Sequence, residues 1–368
     1  MEYSHKLKYH LKPEEGWVND PNGLVFFGGY YHVFYQYCPH FEVPRMEPMH
    51  WGHARTKDFL SWEHLPIALS PDKDYDNGGC WSGTAIVKDE VLYLFYASVH
   101  NSEGLKDEIQ TVSIAYSTDG INFEKYEKNP VIKNFPETGS RDFRDPAVAF
   151  IDGKFLLVMA TGFPETKKGR LLLYESDDIF SWEYKGIMSE WDNSKYAECP
   201  SLISLENGKV MLSASVVWWD WKHKFSVMTG RFEDGVFIKE TEGEADRGPD
   251  RYAGQAFKDD KGRVIMISWI PGWDYNGYYK KDVGCMSSPC EIFFSDGTLC
   301  CYPVEEIRHL LKESDEALEM TNEGFIVNRE NRESLVYRGK IDDIKILRDG
   351  YVMEIYINGG QENYTVLL

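Results

Sequence analysis

The sequence predicts an all-β protein, a five-bladed β-propeller followed by a small, truncated β-sandwich-like module at the C-terminus. Three observations support this fold class. Short runs rich in β-branched and aromatic residues recur along the 368 residues, helical periodicity is nearly absent, and a turn motif repeats at a nearly constant interval. With 42% hydrophobic and 27% charged residues, the chain has the composition of a globular protein.

The predicted strands are short, and most of them are bounded by Gly, Asp, Asn or Lys. These residues favour tight turns between antiparallel strands. The clearest apolar runs cover residues 30–37, 91–97, 155–160, 170–175, 210–217 and 264–270. Short strands that follow one another through polar turns predict an antiparallel, all-β architecture.

The repeated motif has the pattern Ser/Thr-x-Asp-x-x-x-aromatic. It occurs at residues 56–62, 117–123 and 176–182, at offsets of 61 and 59 residues. A four-stranded propeller blade needs roughly 40–50 residues, so an interval near 60 fits one blade with a long loop. Five such blades would occupy about 300 residues. The alternative is a β-sandwich in which the turn motif recurs by chance.

The end of the chain differs from the rest. We expect a propeller over residues 1–304, a helix or linker over 305–320 and a small β module over 321–368. A complete two-sheet sandwich takes roughly 100 residues, about twice what this tail holds, so we expect a truncated or single-sheet module. Such a module would leave propeller surface exposed, which makes a homo-oligomer a hypothesis.

The charge balance narrows the choice of partners. The formal net charge is -20, from 40 Lys+Arg and 60 Asp+Glu. A surface this acidic repels nucleic acid and anionic membranes, so we expect neither as a partner. The expected substrate is small and neutral or cationic, or it binds in a cleft whose charge differs from the mean.

The sequence also bears on location and thiol chemistry. The N-terminal segment lacks the apolar stretch of a secretion signal, and no run reaches the length of a membrane span, so we expect a cytoplasmic protein. The seven cysteines show no C-x-x-C pair or other zinc-like spacing, which favours free thiols.

Three acidic residues lie in unusual local contexts. Asp20 stands in N-D-P-N-G, Asp145 follows Arg144 in F-R-D-P, and Glu198 precedes Cys-Pro among apolar and aromatic residues. A following proline favours extended backbone, an adjacent arginine favours an ionised carboxylate, and desolvation raises the pKa of a glutamate toward that of a general acid. Each context alone fits a turn or a structural ion pair equally well.

Together these contexts resemble motifs of glycoside hydrolase family 32, the invertases, inulinases, levanases and related fructosyltransferases. WVNDPNG is similar to the nucleophile motif of that family, FRDP to its second motif and the Glu-Cys pair to its acid/base motif. Further similar motifs are FYQY (34–37), MHWGHARTKDFLSW (49–62), WSGTA (81–85), D-x-G-x-D-x-Y-A-x-Q (246–255) and ISWIPGW (267–273). The resemblance covers about residues 5–310.

The resemblance implies a role for each acid. Asp20 would attack the anomeric C2 of fructose, Glu198 would protonate the leaving oxygen and then deprotonate water, and Asp145 would bind fructose hydroxyls and stabilise the transition state. It implies no metal and no organic cofactor. Residues expected to bind the substrate are Asn19, Gln36, Trp51, Trp81, Ser82 and Arg144, with Trp269 on the leaving-group side.

The expected activity is retaining hydrolysis of sucrose or short fructooligosaccharides. Phosphorylated sucrose is a further candidate, with Arg45, Lys222 and Lys224 as possible phosphate partners. Alternatives are fructosyl transfer at the same site, including difructose anhydride formation, and a propeller that binds sugar without cleaving it. An inverting enzyme would separate its carboxyl groups by roughly 6.5–9.5 Å, against 5–5.5 Å for a retaining one.

Two cysteines depart from the family pattern. Cys38 follows FYQY where the family usually has Asn, and Cys290 stands where it typically has Arg. Neither removes a catalytic group, but they leave substrate preference and the junction with the tail open.

Overall fold

The computed structural model describes residues 7–41, 46–101, 108–220, 222–233, 235–270, 284–295, 297–329 and 332–368. Within these ranges the regular secondary structure is almost entirely strand, which confirms the predicted all-β class. The helical segments described are short 3-10 turns at Asp74–Asp76, Glu206–Gly208 and Glu305–Leu310. No helix of the described ranges combines the length and the apolar character needed to cross a membrane.

Five antiparallel sheets follow one another along residues 17–303. The first contains β1 (Trp17–Phe27), β2 (Tyr30–Cys38), β3 (His50–Thr56) and β4 (Glu63–Leu69). The second contains β5 (Gly79–Lys88), β6 (Val91–His100), β7 (Ile109–Ser117) and β8 (Glu124–Lys125). The third contains β9 (Phe143–Ile151), β10 (Lys154–Phe163), β11 (Lys168–Ser176) and β12 (Glu183–Asp192). The fourth contains β13 (Ser194–Ser204), β14 (Val210–Trp218), β15 (His223–Glu233) and β16 (Val236–Glu244). The fifth contains β17 (Tyr252–Lys258), β18 (Val264–Ile270), β19 (Cys285–Met286), β20 (Cys290–Ser295) and β21 (Thr298–Pro303).

The sheets form a closed propeller ring. Strand β1 contacts β5, β5 contacts β9, β9 contacts β13, β13 contacts β17, and β17 returns to β1. The first strand of each sheet therefore lies nearest the axis. The sequence pattern agrees with this arrangement. The inner strand β10 is a continuous buried apolar run, whereas the outer strand β12 alternates exposed and half-buried residues.

The hydrophobic cores lie between neighbouring sheets. In one of them, Leu157, Leu172 and Val148 of the third sheet pack against Phe95 and Ile114 of the second. Since each sheet buries both faces in this way, the wall of the ring is rigid, and groups on the first strands have fixed positions.

The repeated sequence motif is a repeated turn. Its copies close β3, β7 and β11, the third strands of the first three sheets. In the first copy the Thr56 hydroxyl accepts hydrogen bonds from the N–H groups of Asp58 and Phe59, and the Asp58 carboxylate accepts from Leu60 and Ser61. The same four bonds recur in the other two copies. The motif thus marks equivalent positions in consecutive sheets.

The tail forms two sheets of three strands each. One contains β22 (Leu318–Thr321), β23 (Gly324–Val327) and β24 (Leu335–Arg338). The other contains β25 (Ile344–Asp349), β26 (Val352–Ile357) and β27 (Glu362–Leu367). Their buried side chains share one core, so the module is a small two-sheet sandwich, in line with the sandwich-like module that the sequence predicts. Strand β22 begins inside the segment expected to be helix or linker.

Two acidic residues of the D-x-G-x-D segment join the propeller to this sandwich. Asp246 accepts a hydrogen bond of 2.7 Å from the Thr365 hydroxyl. Asp250 accepts from the Leu367 N–H at 2.8 Å and from Arg329 Nη2 at 2.5 Å. All these partners belong to the tail, so the two aspartates of the motif hold the propeller and the sandwich together.

A buried histidine and two carboxylates connect the N-terminal segment to the same sandwich. His10 Nδ1 lies 2.9 Å from Asp349 Oδ2, and its Nε2 lies 3.3 Å from Glu354 Oε2. Burial alone would lower the pKa of His10, but the hydrogen bonds and charges of the two carboxylates raise this pKa to about 9. Burial would raise the pKa of Asp349, but its hydrogen bonds and the charge of His10 lower it to about 2. We call these three residues the interface cluster.

Candidate active site

The first strands of the ring bring the predicted site residues together. Asp20 lies on β1, Ser82 on β5, Arg144 and Asp145 on β9, and Glu198 on β13. Each lies within the first five residues of its strand. Residues up to 178 positions apart therefore face one another at the axis, near one end of the ring.

Every first strand has an irregularity in its pairing at this level. The register shifts in β1, β5, β9, β13 and β17, each against the second strand of its sheet. Three residues at these shifts have left-handed backbone, Asp145 with φ 58°, Cys199 with φ 47° and Ala253 with φ 52°. Such conformations cost on the order of 1–3 kcal/mol each for residues with a side chain, and they cluster at functional sites because they re-aim a side chain.

Asp20 and Asp145 share a contact with one thiol. Ser82 Oγ donates to Asp20 Oδ2 at 2.7 Å, and Cys199 Sγ lies 3.4 Å from the same oxygen. The same sulfur lies 3.7 Å from Asp145 Oδ2, which also accepts the Cys199 backbone N–H at 2.9 Å. The two carboxylate oxygens are therefore at most about 7 Å apart, the length of the two sulfur contacts together.

Glu198 is held from both sides. Arg144 donates to Glu198 Oε1 through Nη2 at 3.0 Å and Nε at 3.2 Å, and Tyr252 donates its hydroxyl to Oε2 at 2.5 Å. Arg144 also binds Asp142 at 2.9 Å and lies over the Tyr196 ring at 5.1 Å. The Glu198 side chain stays 21% exposed, so the carboxyl is fixed in direction but open to a ligand.

The electrostatics of the site favour retention of a proton. Burial raises the pKa of Asp145 to about 7, even though Arg144 opposes the shift, and the charges of Glu198 and Asp20 add to it. Burial and the charge of Glu198 also raise the pKa of Asp20, against the hydrogen bonds from Ser82 and others. Burial and neighbouring negative charge both disfavour the ionised form, so the two aspartates keep their protons to a higher pH than free carboxyl groups do.

Two predicted residues contact Trp17, three positions before Asp20. Trp17 Nε1 donates to Asn19 Oδ1 at 3.0 Å, which fixes the amide next to the carboxylate. The Trp17 ring meets Trp269 edge-on at 5.9 Å, and Trp269 is 3% exposed. Trp269 thus belongs to the wall of the site, packed among aromatic rings. The last three residues of the ISWIPGW motif, 271–273, lie outside the described residues.

Two other predicted residues lie beneath the pocket. Gln36 is 3% exposed and donates to the Cys80 carbonyl at 3.0 Å. Trp51 is fully buried and donates to the Trp81 carbonyl at 3.0 Å. Both side chains reach across from the first sheet and fix the backbone of β5, whereas Trp81 itself is half-buried. Gln36 and Trp51 thus support β5, and their expected contact with the substrate stays a prediction.

The candidate phosphate partners are already paired. Lys222 Nζ lies 3.0 Å from Asp220, and Lys224 Nζ lies 3.2 Å from Glu244. Arg45 lies outside the described residues. The lysine pairings give a phosphate no prepared partner at these two positions.

Two contacts of the site are not predicted by the sequence. Tyr252 lies in the quoted D-x-G-x-D-x-Y-A-x-Q segment, but its bond to Glu198 depends on how β17 packs beside β13. Cys199 lies beside Glu198 in sequence, yet its side chain turns to the two aspartates because its backbone is left-handed. The motif carried a signal for both residues. The described residues contain no group of three or more His, Cys, Asp or Glu side chains arranged to hold a metal.

A family model described as the glycosyl hydrolases family 32 N-terminal domain matches residues 10–303. The chain belongs to glycosyl hydrolase family 32. The match covers the whole propeller of this family 32 chain and ends where β21 ends.

Curated relatives of this family 32 chain are longer. It is 33% identical over 330 residues to a sucrose-6-phosphate hydrolase of Zymomonas mobilis, a match over 83% of this chain and 63% of the relative. It is 34% identical over 319 residues to a raffinose invertase of Escherichia coli, over 82% of this chain and 65% of the relative. The chain thus spans less than two thirds of the length of these relatives.

Solved structures share its fold over nearly the full chain. A family 32 β-fructofuranosidase of Bombyx mori superposes with a TM-score of 0.85 at 27% identity, covering 100% of this chain and 90% of that one. A sucrose-6-phosphate hydrolase of Lactobacillus gasseri gives a TM-score of 0.84 at 24% identity, over 99% and 88% of the two chains, a likeness of fold.

Proposed function

We propose that this chain is a retaining β-fructofuranosidase that hydrolyses sucrose or short fructooligosaccharides. The observation that carries the proposal is the meeting of Asp20, Asp145 and Glu198 from three sheets around one opening, in different electrostatic surroundings. The names of the relatives, sucrose-6-phosphate hydrolase and raffinose invertase, support a fructosyl substrate. They are named as hydrolases, which favours water over a sugar as the acceptor.

In the first step Asp20 attacks the anomeric carbon of the fructosyl unit while Glu198 gives its proton to the leaving oxygen. The bond from Ser82 orients the Asp20 carboxylate and favours its ionised form. Arg144 and Tyr252 hold the Glu198 carboxyl in one direction, so the proton meets the oxygen without a search over rotamers.

In the second step water attacks the fructosyl-enzyme, and Glu198 accepts the proton that the water loses. Asp145, buried and held by the Cys199 N–H, binds the hydroxyls of the fructosyl ring. In its ionised form Asp145 places a negative charge close to the positive charge that develops on the ring in the transition state, which lowers the barrier of both steps.

The proposal extends to architecture and location. The five sheets of residues 17–303 are the five blades of the propeller, and their first strands supply the site. A cytoplasmic location and a homo-oligomer stay predictions from the sequence. Sucrose 6-phosphate belongs among the test substrates because relatives carry that name.

Product analysis with active-site variants tests the proposal. Purified protein is incubated with sucrose, sucrose 6-phosphate, raffinose and 1-kestose, beside Asp20→Asn and Glu198→Gln. We expect free fructose from the wild type, a fall in kcat of ~10²–10⁴-fold for Glu198→Gln, and a larger loss for Asp20→Asn. Asp177→Asn, which changes a carboxylate that is 82% exposed on another turn, is the matched control.

Mass spectrometry of Glu198→Gln quenched during turnover supplies the mechanistic evidence. A retaining enzyme whose second step is slowed should carry one fructosyl unit on the peptide that contains Asp20. No fructose from any substrate would reject the activity, and fructose from the wild type with full activity in Asp20→Asn would reject the nucleophile. New oligosaccharides as main products would indicate a transferase.

A further inference from the structure

Trp219 is the tryptophan that the described part of the chain leaves most open to solvent, with 47% of its surface exposed. It directly follows the last residue of β14, Trp218, whose N–H bonds to the Lys222 carbonyl at 2.9 Å. An indole has two broad apolar faces, and covering one with an apolar ligand surface releases water at a gain in free energy. The residue that directly follows β14 therefore presents such a face to solvent.

Both arms of this hairpin rest on the active site. On the β14 side, Val217 is buried in one apolar cluster with Cys199 and Tyr252. On the β15 side, the His223 ring meets the Tyr252 ring edge-on, at 5.6 Å and 88° between planes. Tyr252 in turn donates to Glu198. The position of the turn is thus tied to the carboxyl that we propose as acid/base.

The register places Trp219 on the open side of Glu198. Glu198 pairs with Ser215 across the β13–β14 ladder, and Trp218 is three residues further along β14. At a rise of about 3.3 Å per residue, Trp218 lies about 10 Å beyond Glu198 along the strand, and Trp219 follows it. Under the proposed role of Glu198 the leaving oxygen lies beside this carboxyl, so a leaving sugar that extends toward this end of β14 comes near Trp219.

We propose that Trp219 is a stacking platform for the second ring of the leaving group, and that it biases this chain toward trisaccharides and longer substrates over sucrose. The inference rests on the proposed function, since it concerns the leaving group of the same reaction. The leaving group of sucrose has one ring, whereas those of 1-kestose and raffinose have two. Stacking on Trp219 therefore lowers the barrier for the longer substrates relative to sucrose.

The test compares two substrates in the same variants. The ratio of kcat/KM for 1-kestose to kcat/KM for sucrose is measured for the wild type, Trp219→Ala and Trp219→Phe. Loss of an aromatic stacking contact should lower this ratio about 3- to 10-fold in Trp219→Ala, and Trp219→Phe should restore most of it. The control is Phe150→Ala, which removes an aromatic that is 55% exposed at the far end of β9 and should leave the ratio unchanged.

A binding measurement separates this inference from the proposed function. The affinities of Asp20→Asn for 1-kestose and sucrose are measured by calorimetry, with and without Trp219→Ala. Tighter binding of 1-kestose that depends on Trp219 supports the platform whether or not the wild type releases fructose. Equal losses for both substrates in Trp219→Ala, an unchanged ratio, or no preference for 1-kestose in binding would overturn it.

Discussion

Two buried groups of carboxylates in this molecule show opposite electrostatics. Asp145 in the active site and Asp349 in the interface cluster are each 3% exposed. Burial drives the pKa of Asp145 up to about 7, whereas the bonds around Asp349 overcome the same effect of burial and bring its pKa down to about 2. Burial alone therefore does not decide the charge state of an acid in this fold.

The partners make the difference. Asp349 accepts the backbone N–H groups of Lys8, Tyr9 and His10 as well as the His10 ring. Asp145 accepts one backbone N–H, and its carboxyl shares the pocket with two other acids. The carboxylates of the interface cluster are paired with hydrogen-bond donors, as in a structural ion pair. The carboxyl groups of the active site instead repel one another, and a bound substrate can interact with their charge.

The largest expected effects come from replacing one carboxylate by an amide in each region. Asp349→Asn leaves His10 opposite one charge instead of two, so we expect the free energy of unfolding to fall by about 3–5 kcal/mol. Asp145→Asn removes a crowded negative charge, so we expect no loss of stability but a fall in kcat of ~10²-fold or more. Urea unfolding and initial rates on sucrose measure the two effects.

Equal effects of the two substitutions would contradict this contrast. If Asp145→Asn loses as much stability as Asp349→Asn, then the active-site acid is a structural ion pair like the other. If Asp349→Asn lowers kcat in its folded fraction, the interface cluster is coupled to the site through the ring.

The pH dependence of stability should differ between the two regions. His10 has a folded-state pKa raised from 6.5 to about 9, so its stabilisation is complete below pH 6.5 and is lost as the pH rises to 9. This loss amounts to about 3 kcal/mol and should be absent in His10→Gln. For Asp145, whose pKa is raised from 3.8 to about 7, stability falls as the pH rises from 4 to 7, and Asp145→Asn should lack this fall. Midpoints of urea unfolding at pH 4.5, 7 and 9, measured for the wild type and both variants, would reveal these windows. If the wild type, His10→Gln and Asp145→Asn gave the same pH profile, the assignment would be refuted.

The smallest expected effect sharpens the description of the active site. Tyr252→Phe removes the hydroxyl that donates to Glu198 at 2.5 Å but keeps the ring that packs beside Cys199. One hydrogen bond to a charged group is worth about 1.5 kcal/mol, so kcat should fall ~10-fold, and loss of the bond from the folded state should lower the midpoint of thermal unfolding by only about 2 °C. Tyr364→Phe, whose hydroxyl bonds to Glu362 in the tail, is the control. A loss as large as that of Glu198→Gln would make Tyr252 a proton donor in its own right.

Local sequence carried much of the fold and of the site. The polar turns and the repeated Ser/Thr-x-Asp motif predicted the hairpins, because these turns are closed by side chains three or fewer residues from the groups that they bind. Asp20, Asp145 and Glu198 were predicted in short motifs, and the structure brings them together. The burial of Trp51 was not predicted, because the local sequence around a tryptophan that lines a pocket does not differ from that around a buried one.

What escaped prediction depends on contacts between distant segments. The bond from Tyr252 to Glu198 requires the packing of the fifth sheet against the fourth. The interface cluster joins residues 339 positions apart, and no local pattern marks His10 as the partner of Asp349. The start of the first tail strand was not predicted, because β22 begins at Leu318, inside the segment expected to be a helix or linker.

The ring contact between β17 and β1 also bears on how the protein is made. Ser82, Asp145, Glu198 and Tyr252 come from four sheets. Asp20 lies on the remaining sheet, which is the first of the five to be synthesised. No partial ring contains the whole constellation, so under the proposed function a nascent chain reaches full activity only after its last sheet has docked against its first. Full activity would then indicate that the ring is completely assembled.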